Sequence, residues 1–291
     1  MTRMRINLRT PIVKSSVTSD IQERIARAGV TKTLRLRGKK LSQLPEEFDR
    51  LTSLTHLDLE SNKLPELPRS ITFFVDLEHL KLGWNRIKKL PPEIRYLRRL
   101  QTLALQQNKI GFLPPQLGEL TELHDLDLTN NHLKGLPAEL GKLNKLFSLD
   151  LDQNLLQGMP PVLFTLTGLF CLSVSWNKLR EVPPDIGRLR NLQMLSLGGN
   201  DLLELPVEIC RLVALEHLDV ADNRIRMLPP EIGRLRNLET LKLRGNPIEV
   251  FPPQMQQLTK LRILDVDEEQ IMKLPSGLRR LAAEPYERSR R

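Results

Sequence analysis

The stretch LHDLDLTNNHLKGLP, residues 123–137, decides the fold, because its pattern returns as LFSLDLDQNLLQGMP at 146–160. Nine asparagines recur at the same constant spacing without a slip: Asn62, Asn85, Asn108, Asn131, Asn154, Asn177, Asn200, Asn223 and Asn246. Extending the register places Lys39 before the series and Glu269 after it. The spacing therefore predicts eleven repeats of equal length over 31–283.

The leucine pattern within each repeat predicts the architecture. Leucines alternate with other residues in the LxL segment, which indicates a short strand with one face in the core. Stacking the repeats pairs these strands in parallel, and the asparagine amide satisfies backbone groups at the inward turn. The Leu-Pro pair that follows, as at Leu136-Pro137, begins a helical turn on the outside. The predicted fold class is α/β: a right-handed solenoid or horseshoe with a parallel concave sheet and short helical turns on its convex side.

The two ends of the solenoid need covering because a terminal repeat would expose its core. Residues 16–30 are predicted to form a capping helix, in which Ile21 and Ile25 share one face. Residues 1–15 and 284–291 are predicted to be disordered tails. The net charge of +9 lies mostly at the ends, with +4 in residues 1–30 and +3 in residues 279–291. The basic composition therefore says little about the folded body.

Other features of the composition suggest where the protein works. The chain has two cysteines, Cys171 and Cys210, and none of the disulfide clusters that close extracellular solenoids of this kind. We find no signal sequence, no apolar run of transmembrane length and no lipidation motif. These observations predict a monomeric protein without a transmembrane segment in the cytoplasm, with a nuclear location as an alternative.

The concave face is predicted to be acidic although the chain is basic. Counting from the leucine that opens each repeat, positions 3, 5, 7 and 8 face outward and carry eleven acidic and five basic residues. Asp125 and Asp127 project from one strand and Asp150 and Asp152 from the next. Four carboxylates this close should raise one another's pKa or attract a cation. Either solvent screens these charges, or a basic protein surface binds them.

Aromatic and histidine side chains add candidates on the same face. Trp84 and Trp176 both occupy position 8, and exposed tryptophan is typical of binding surfaces. Phe147 and Phe170 share position 2 of adjacent repeats, where stacking and packing into the edge of the core are expected. His56 and His79 are also neighbours, but an open sheet lacks the enclosing geometry of a metal site. We predict no metal, no cofactor and no catalytic site, since no phosphate loop, zinc-ligand spacing or nucleophile elbow is present.

The repeat unit LxxLxLxxNxLxxLPxEIGxL resembles that of the Ras-group intracellular leucine-rich repeat family, over residues 31–283. The resemblance implies a non-enzymatic scaffold or adaptor whose concave face binds a protein, such as a Ras-like GTPase or a phosphatase subunit. The alternatives are an adaptor for an unrelated protein client, or binding of nucleic acid or an anionic membrane through the basic exterior. The positions that would contact a protein partner are Asp58, Glu60, Trp84, Asp125, Asp127, Asp150, Asp152, Trp176 and Asp219.

Overall fold

The computed structural model describes residues 19–67, 71 and 73–283. The predicted tails at 1–15 and 284–291 lie outside this part of the chain. Short strands recur in it, one in each repeat: β1 Thr33–Arg35, β2 His56–Asp58, β3 His79–Lys81, β4 Thr102–Ala104, β5 Asp125–Asp127, β6 Ser148–Asp150, β7 Cys171–Ser173, β8 Met194–Ser196, β9 His217–Asp219, β10 Thr240–Lys242 and β11 Ile263–Asp265.

These strands form a single open, curved sheet. They follow one another in chain order from β1 to β11, and every neighbouring pair is parallel. Residues separated by one repeat are register partners, as Leu126 is with Leu149. The same repeat position therefore forms a row across the sheet, and the leucines at positions 4 and 6 point into a continuous core. The predicted solenoid fold is confirmed.

The outer side is built from short 3₁₀ turns. All of them except Glu268–Lys273 begin next to a proline, which is tolerated there because the first N–H groups of a helical turn have no partner within it. Each returns an apolar side chain to the core, as the fully buried Ile94, Leu117 and Ile186 do. The turns span Glu46–Arg50, Pro92–Tyr96, Pro115–Glu119, Ala138–Lys142, Pro161–Thr165, Pro184–Arg188, Val207–Arg211, Pro230–Arg234, Pro253–Gln257, Glu268–Lys273 and Ser276–Leu278. Because they are wider than the strands, the sheet bends and becomes the concave side.

The repeated asparagine plays the backbone role that the sequence predicts. Asn131 donates from Nδ2 to the carbonyls of Leu105 and Leu128, each at 3.0 Å, and accepts from the Ile110 amide at 3.0 Å. One side chain thus joins adjacent repeats through backbone groups that would otherwise be buried without partners. In the last repeat Glu269 stands at the asparagine position, and the adjacent residue makes the backbone hydrogen bond instead. The buried Gln270 donates from Nε2 to the carbonyl of Asn246.

Each end of the described chain carries a short helix. Helix α1, Ser19–Thr31, buries Ile21, Ile25 and Ala28 next to β1, and extends slightly beyond the residues predicted to cap this end. Helix α2, Arg279–Ala283, lies beside β11. Within the described residues, no helix has both the length and the apolar character needed to cross a bilayer.

Candidate protein-binding surface

The acidic residues at position 5 have a local structural role that the sequence analysis did not anticipate. In four repeats, one oxygen of this aspartate accepts the backbone N–H of position 7 in the same repeat. The pairs are Asp58 with Glu60 at 3.0 Å, Asp127 with Thr129 at 2.9 Å, Asp150 with Asp152 at 2.9 Å and Asp219 with Ala221 at 3.0 Å. The bond holds the chain where it leaves the strand, as Asx turns do.

Asp127 and Asp150 are register partners in β5 and β6, as the repeat spacing predicts. The pKa of Asp150 is raised mainly by burial, and the charge of Asp127 adds a smaller increase. The expectation that neighbouring carboxylates raise one another's pKa therefore holds for Asp150, although burial is the larger cause. Partial burial removes water from this carboxylate, and loss of hydration disfavours the ionised form more than the neighbouring charge does.

Asp152 at position 7 is bound by the next repeat. It accepts the Ser173 hydroxyl and the Ser175 amide, each at 2.6 Å. Burial raises its pKa to about 6, although both of these hydrogen bonds favour the ionised form. The side chain remains half-buried and is mostly ionised at neutral pH.

Internal partners bind other acidic residues of the concave face. Glu60 was expected to face outward, but it is only 6% exposed. Its carboxylate lies 3.0 Å from an Arg37 guanidinium nitrogen and accepts Gln106 Nε2 at 3.0 Å, so it joins three repeats. Asp219 likewise contacts Lys242 Nζ at 3.0 Å. Asp58 is in none of these ion pairs, although it lies in register between two cationic residues, Arg35 and Lys81.

The middle of the sheet differs in its charge balance. Asp125, Asp127, Asp150 and Asp152, which we call the central carboxylates, take part in none of the ion pairs found among the described residues. Asp125 is the most exposed of the four. Lys145 lies in the same shallow depression as Asp125, but its ammonium group is bound to Glu122 at 2.7 Å. Uncompensated negative charge is thus concentrated on β5 and β6.

The two tryptophans are exposed in an unusual backbone conformation. Trp84 is 54% exposed and Trp176 is 58% exposed. Their φ angles are +58° and +56°, in the left-handed region that favours glycine and asparagine. The ring of Trp176 lies over Gly199 of the next repeat, where a Cβ would come within 2.6 Å of it. An indole is therefore held in the open at a position where most residues are small or polar.

The predicted residues do not form one cluster. The central carboxylates lie on two adjacent repeats, and Trp176 belongs to the repeat that follows them. Trp84 lies two repeats before Asp127, while Asp58, Glu60 and Asp219 lie further along the sheet in either direction. Among the described residues, no group of three or more histidine, cysteine, aspartate or glutamate side chains is placed to hold a metal ion.

The structure exposes an apolar surface beside the carboxylates that the sequence analysis expected to be buried. The rings of Phe147 and Phe170 stack with centroids 4.5 Å apart and an angle of 16° between planes, as predicted. Phe147 is nevertheless 45% exposed, so packing into the edge of the core was the wrong expectation. Next to them, the Cys171 thiol donates to Met194 Sδ at 3.5 Å, and Met194 is 43% exposed. The sequence could have predicted this exposed surface, because position 2 is polar in all the other repeats and therefore faces solvent there.

Comparison with protein families finds two related descriptions. A leucine-rich repeat region matches residues 115–198 and 207–283, and a leucine-rich repeat matches residues 30–87. No curated protein is similar enough to the chain to count as a relative.

Several solved structures are similar to the chain. A leucine-rich repeat protein of Leptospira interrogans is 31% identical, with a TM-score of 0.55, over 81% of this chain and 71% of that one. A TDR receptor is 27% identical, with a TM-score of 0.72, over 83% of this chain and 45% of the receptor. The plant peptide hormone receptor RGFR1, solved in complex with RGF2, is 25% identical, with a TM-score of 0.50, over 81% of this chain and 55% of the receptor. The chain thus spans about half the length of these two receptors.

Proposed function

Because this chain belongs to the leucine-rich repeat family, whose members are protein-interaction scaffolds, we propose that it is a non-enzymatic scaffold or adaptor. Its partner is a protein that presents a basic surface, and the contact is made on the concave sheet around β5 and β6. The single observation that supports this most strongly is that the central carboxylates have no cationic partner among the described residues, whereas Glu60 and Asp219 elsewhere on the face do.

A basic partner lowers the electrostatic repulsion among the central carboxylates. Two like charges on adjacent strands oppose each other, and a lysine or arginine placed over them relieves that repulsion. A contact of this kind speeds association and selects against acidic partners more than it adds raw affinity. Trp176 is exposed in the repeat that follows the central carboxylates, and it supplies the large apolar contact that protein interfaces favour.

Within this proposal, the specific partner is a Ras-like GTPase or a phosphatase subunit, as the resemblance of the repeat implies. An intracellular, reducing setting is part of the proposal and rests on Cys171 and Cys210, which are both free thiols. The alternatives are an unrelated protein client, and nucleic acid or an anionic membrane bound through the basic exterior.

The test compares two variants of equal charge change. The first is Asp127→Asn with Asp150→Asn, since the amide oxygen of asparagine can still accept the N–H of position 7. The control is Asp185→Asn with Asp201→Asn, at sites outside the concave sheet that are paired with Arg188 and Arg224. Binding of purified GTPase and phosphatase subunits, and capture from cell lysate, are measured at two salt concentrations.

We expect the first variant to lose its protein partners and the control to retain them. Equal retention by both variants would contradict the proposal. If both variants instead bind nucleic acid or anionic vesicles, and both lose this binding in high salt, the basic exterior is favoured as the binding surface.

A further inference from the structure

We propose that the binding site has two parts, and that its occupant is a cationic amphipathic segment of the partner protein. This inference rests on the proposed function and makes it specific. The first part is an apolar ledge formed by Phe147, Phe170, Cys171 and Met194, and the second part is the set of central carboxylates beside it.

The apolar ledge is a departure of this chain from its own repeat. Position 2 carries a charged residue, glutamine, threonine or histidine in every repeat except those of Phe147 and Phe170. These two occur in adjacent repeats and stack on each other, with Phe147 exposed and Phe170 half-buried, so their apolar surface is continuous. Met194 extends it by one more repeat through its contact with the Cys171 thiol. Contiguous exposed apolar surface of this kind marks an interaction site when polar groups surround it.

The carboxylates lie next to the ledge along the strands. Phe147 and Asp150 belong to the same repeat, three residues apart, which is about 10 Å in an extended chain. Asp125 lies beside Phe147 in one shallow depression on the concave side. A segment bound to the ledge would therefore extend over uncompensated negative charge within a few residues.

Trp176 completes the surface at the opposite edge of the sheet. It follows Phe170 by six residues in the same repeat, so the two Cα atoms are at most roughly 20 Å apart. Along the strand direction, the positions of Asp150 and Asp152 in the preceding repeat fall between those of Phe170 and Trp176, while the indole lies over Gly199 of the following repeat. The order along the strand direction is aromatic, acidic, aromatic, and a complementary segment has apolar side chains on either side of lysines or arginines.

Charge complementarity selects this occupant over others. Four uncompensated carboxylates repel nucleic acid and anionic lipid headgroups, so neither fits here. A purely apolar segment would remove water from these carboxylates without replacing it, which is unfavourable. Lysine or arginine side chains satisfy the carboxylates, and arginine also stacks well on aromatic rings.

The test uses two labelled synthetic peptides of about fourteen residues, a length that spans about 20 Å as a helix. One is an amphipathic peptide of lysine and leucine, and the other is a lysine–serine peptide with the same charge. Their affinities are measured by fluorescence anisotropy on the full chain. The variant is Phe147→Gln with Phe170→Gln, because glutamine already occupies this position at Gln101 and Gln193. The control is Phe112→Gln, at an exposed phenylalanine outside the concave sheet.

We expect the wild-type chain to bind the amphipathic peptide about tenfold more tightly than the lysine–serine peptide, as one apolar anchor allows. The double phenylalanine variant should lose this preference and still bind the lysine–serine peptide, whereas the Phe112 control keeps both affinities. Circular dichroism verifies that the variants are folded. If the double variant is unfolded, Phe147→Gln alone is used, since this side chain is the more exposed of the pair.

The outcomes separate the two proposals. If the preference for the amphipathic peptide is absent, or survives in the phenylalanine variant, the ledge is not part of the site, although the acidic surface still stands. If Asp127→Asn with Asp150→Asn leaves both affinities unchanged, or neither peptide binds, the acidic surface itself is contradicted and the two-part site falls with it.

Discussion

Asp127 and Asp150 are register partners across β5 and β6, and each carboxylate accepts the backbone amide two residues further along its own chain, at 2.9 Å. One oxygen of each side chain thus stabilises the turn after the strand, and neither carboxylate is in an ion pair among the described residues. Under the proposed function the same residue serves folding and binding, because the backbone amide uses only part of the acceptor capacity of the carboxylate. Substitutions at these positions must therefore separate the loss of charge from the loss of the hydrogen bond.

For Asp150, two substitutions distinguish the loss of charge from the loss of the hydrogen bond. Asp150→Asn keeps an acceptor for the amide of Asp152 and removes repulsion with Asp127, so stability should be unchanged or slightly higher. Asp150→Ala removes the acceptor and should lower the free energy of unfolding by about 1 kcal/mol. Urea denaturation monitored by circular dichroism distinguishes them. Equal stability of the two variants would show that the hydrogen bond contributes nothing.

Replacing Asn131 should be considerably more costly. Asn131→Leu leaves the carbonyls of Leu105 and Leu128 and the amide of Ile110 without their buried partner. We expect a loss of about 3 kcal/mol, at the upper end for unsatisfied buried groups. Asn144→Leu, at an exposed position, is the matched control and should change little. A melting curve identical to that of the wild type would refute this role.

Glu60 tests whether a predicted contact residue is structural. Glu60→Ala removes the acceptor shared by Arg37 and Gln106, and should destabilise the chain by about 2 kcal/mol. The exposed Glu66→Ala serves as the control. Binding of the amphipathic peptide should be unaffected in both variants, because Glu60 lies outside the central carboxylates. If a folded Glu60→Ala chain binds the peptide more weakly than the wild type, Glu60 is a contact residue of the binding surface after all.

Asp152 should make stability depend on pH in an unusual direction. Burial raises its pKa from the ordinary 3.8 to about 6, so the folded chain holds more protons than the unfolded chain between these values. Its contribution to stability is therefore greatest below the ordinary pKa and is lost as the pH rises through the folded one.

Comparing wild type with Asp152→Asn removes this contribution, together with the effect of the Asp152 charge on its neighbour Asp150. We expect the wild type to lose stability relative to the variant as the pH rises from about 4 to about 6, measured by urea denaturation. Parallel profiles would mean that the carboxyl group is not perturbed by folding.

The tryptophans provide a direct report of where a ligand binds. In a Trp84→Phe chain, Trp176 is the remaining tryptophan, and its exposed ring should emit at long wavelength. Binding of the amphipathic peptide should shift that emission to shorter wavelength, because the ring loses water. The reciprocal Trp176→Phe chain reports from Trp84, which lies two repeats before Asp127, and should show no shift. A shift in the second chain alone would move the site toward β3.

The sequence by itself determined the solenoid, because a constant repeat length forces equivalent positions into the same rows and each row needs only local alternation to be assigned. It therefore predicted the core leucines, the backbone role of Asn131 and the register of Asp127 with Asp150. The role of Gln270 could not be predicted in this way. It lies one residue after the repeat position of the asparagines, yet its side chain donates to the backbone of the previous repeat.

Only the tertiary structure decided which charges remain available and which aromatic surfaces are exposed. Glu60 is bound by residues one repeat before it and two repeats after it, whereas the central carboxylates find no such cation among the described residues. The exposure of Phe147 and its stacking on Phe170 are likewise properties of the folded structure. Periodicity specifies the row that a side chain occupies, but ion pairing and burial depend on side-chain conformations and on distances between repeats.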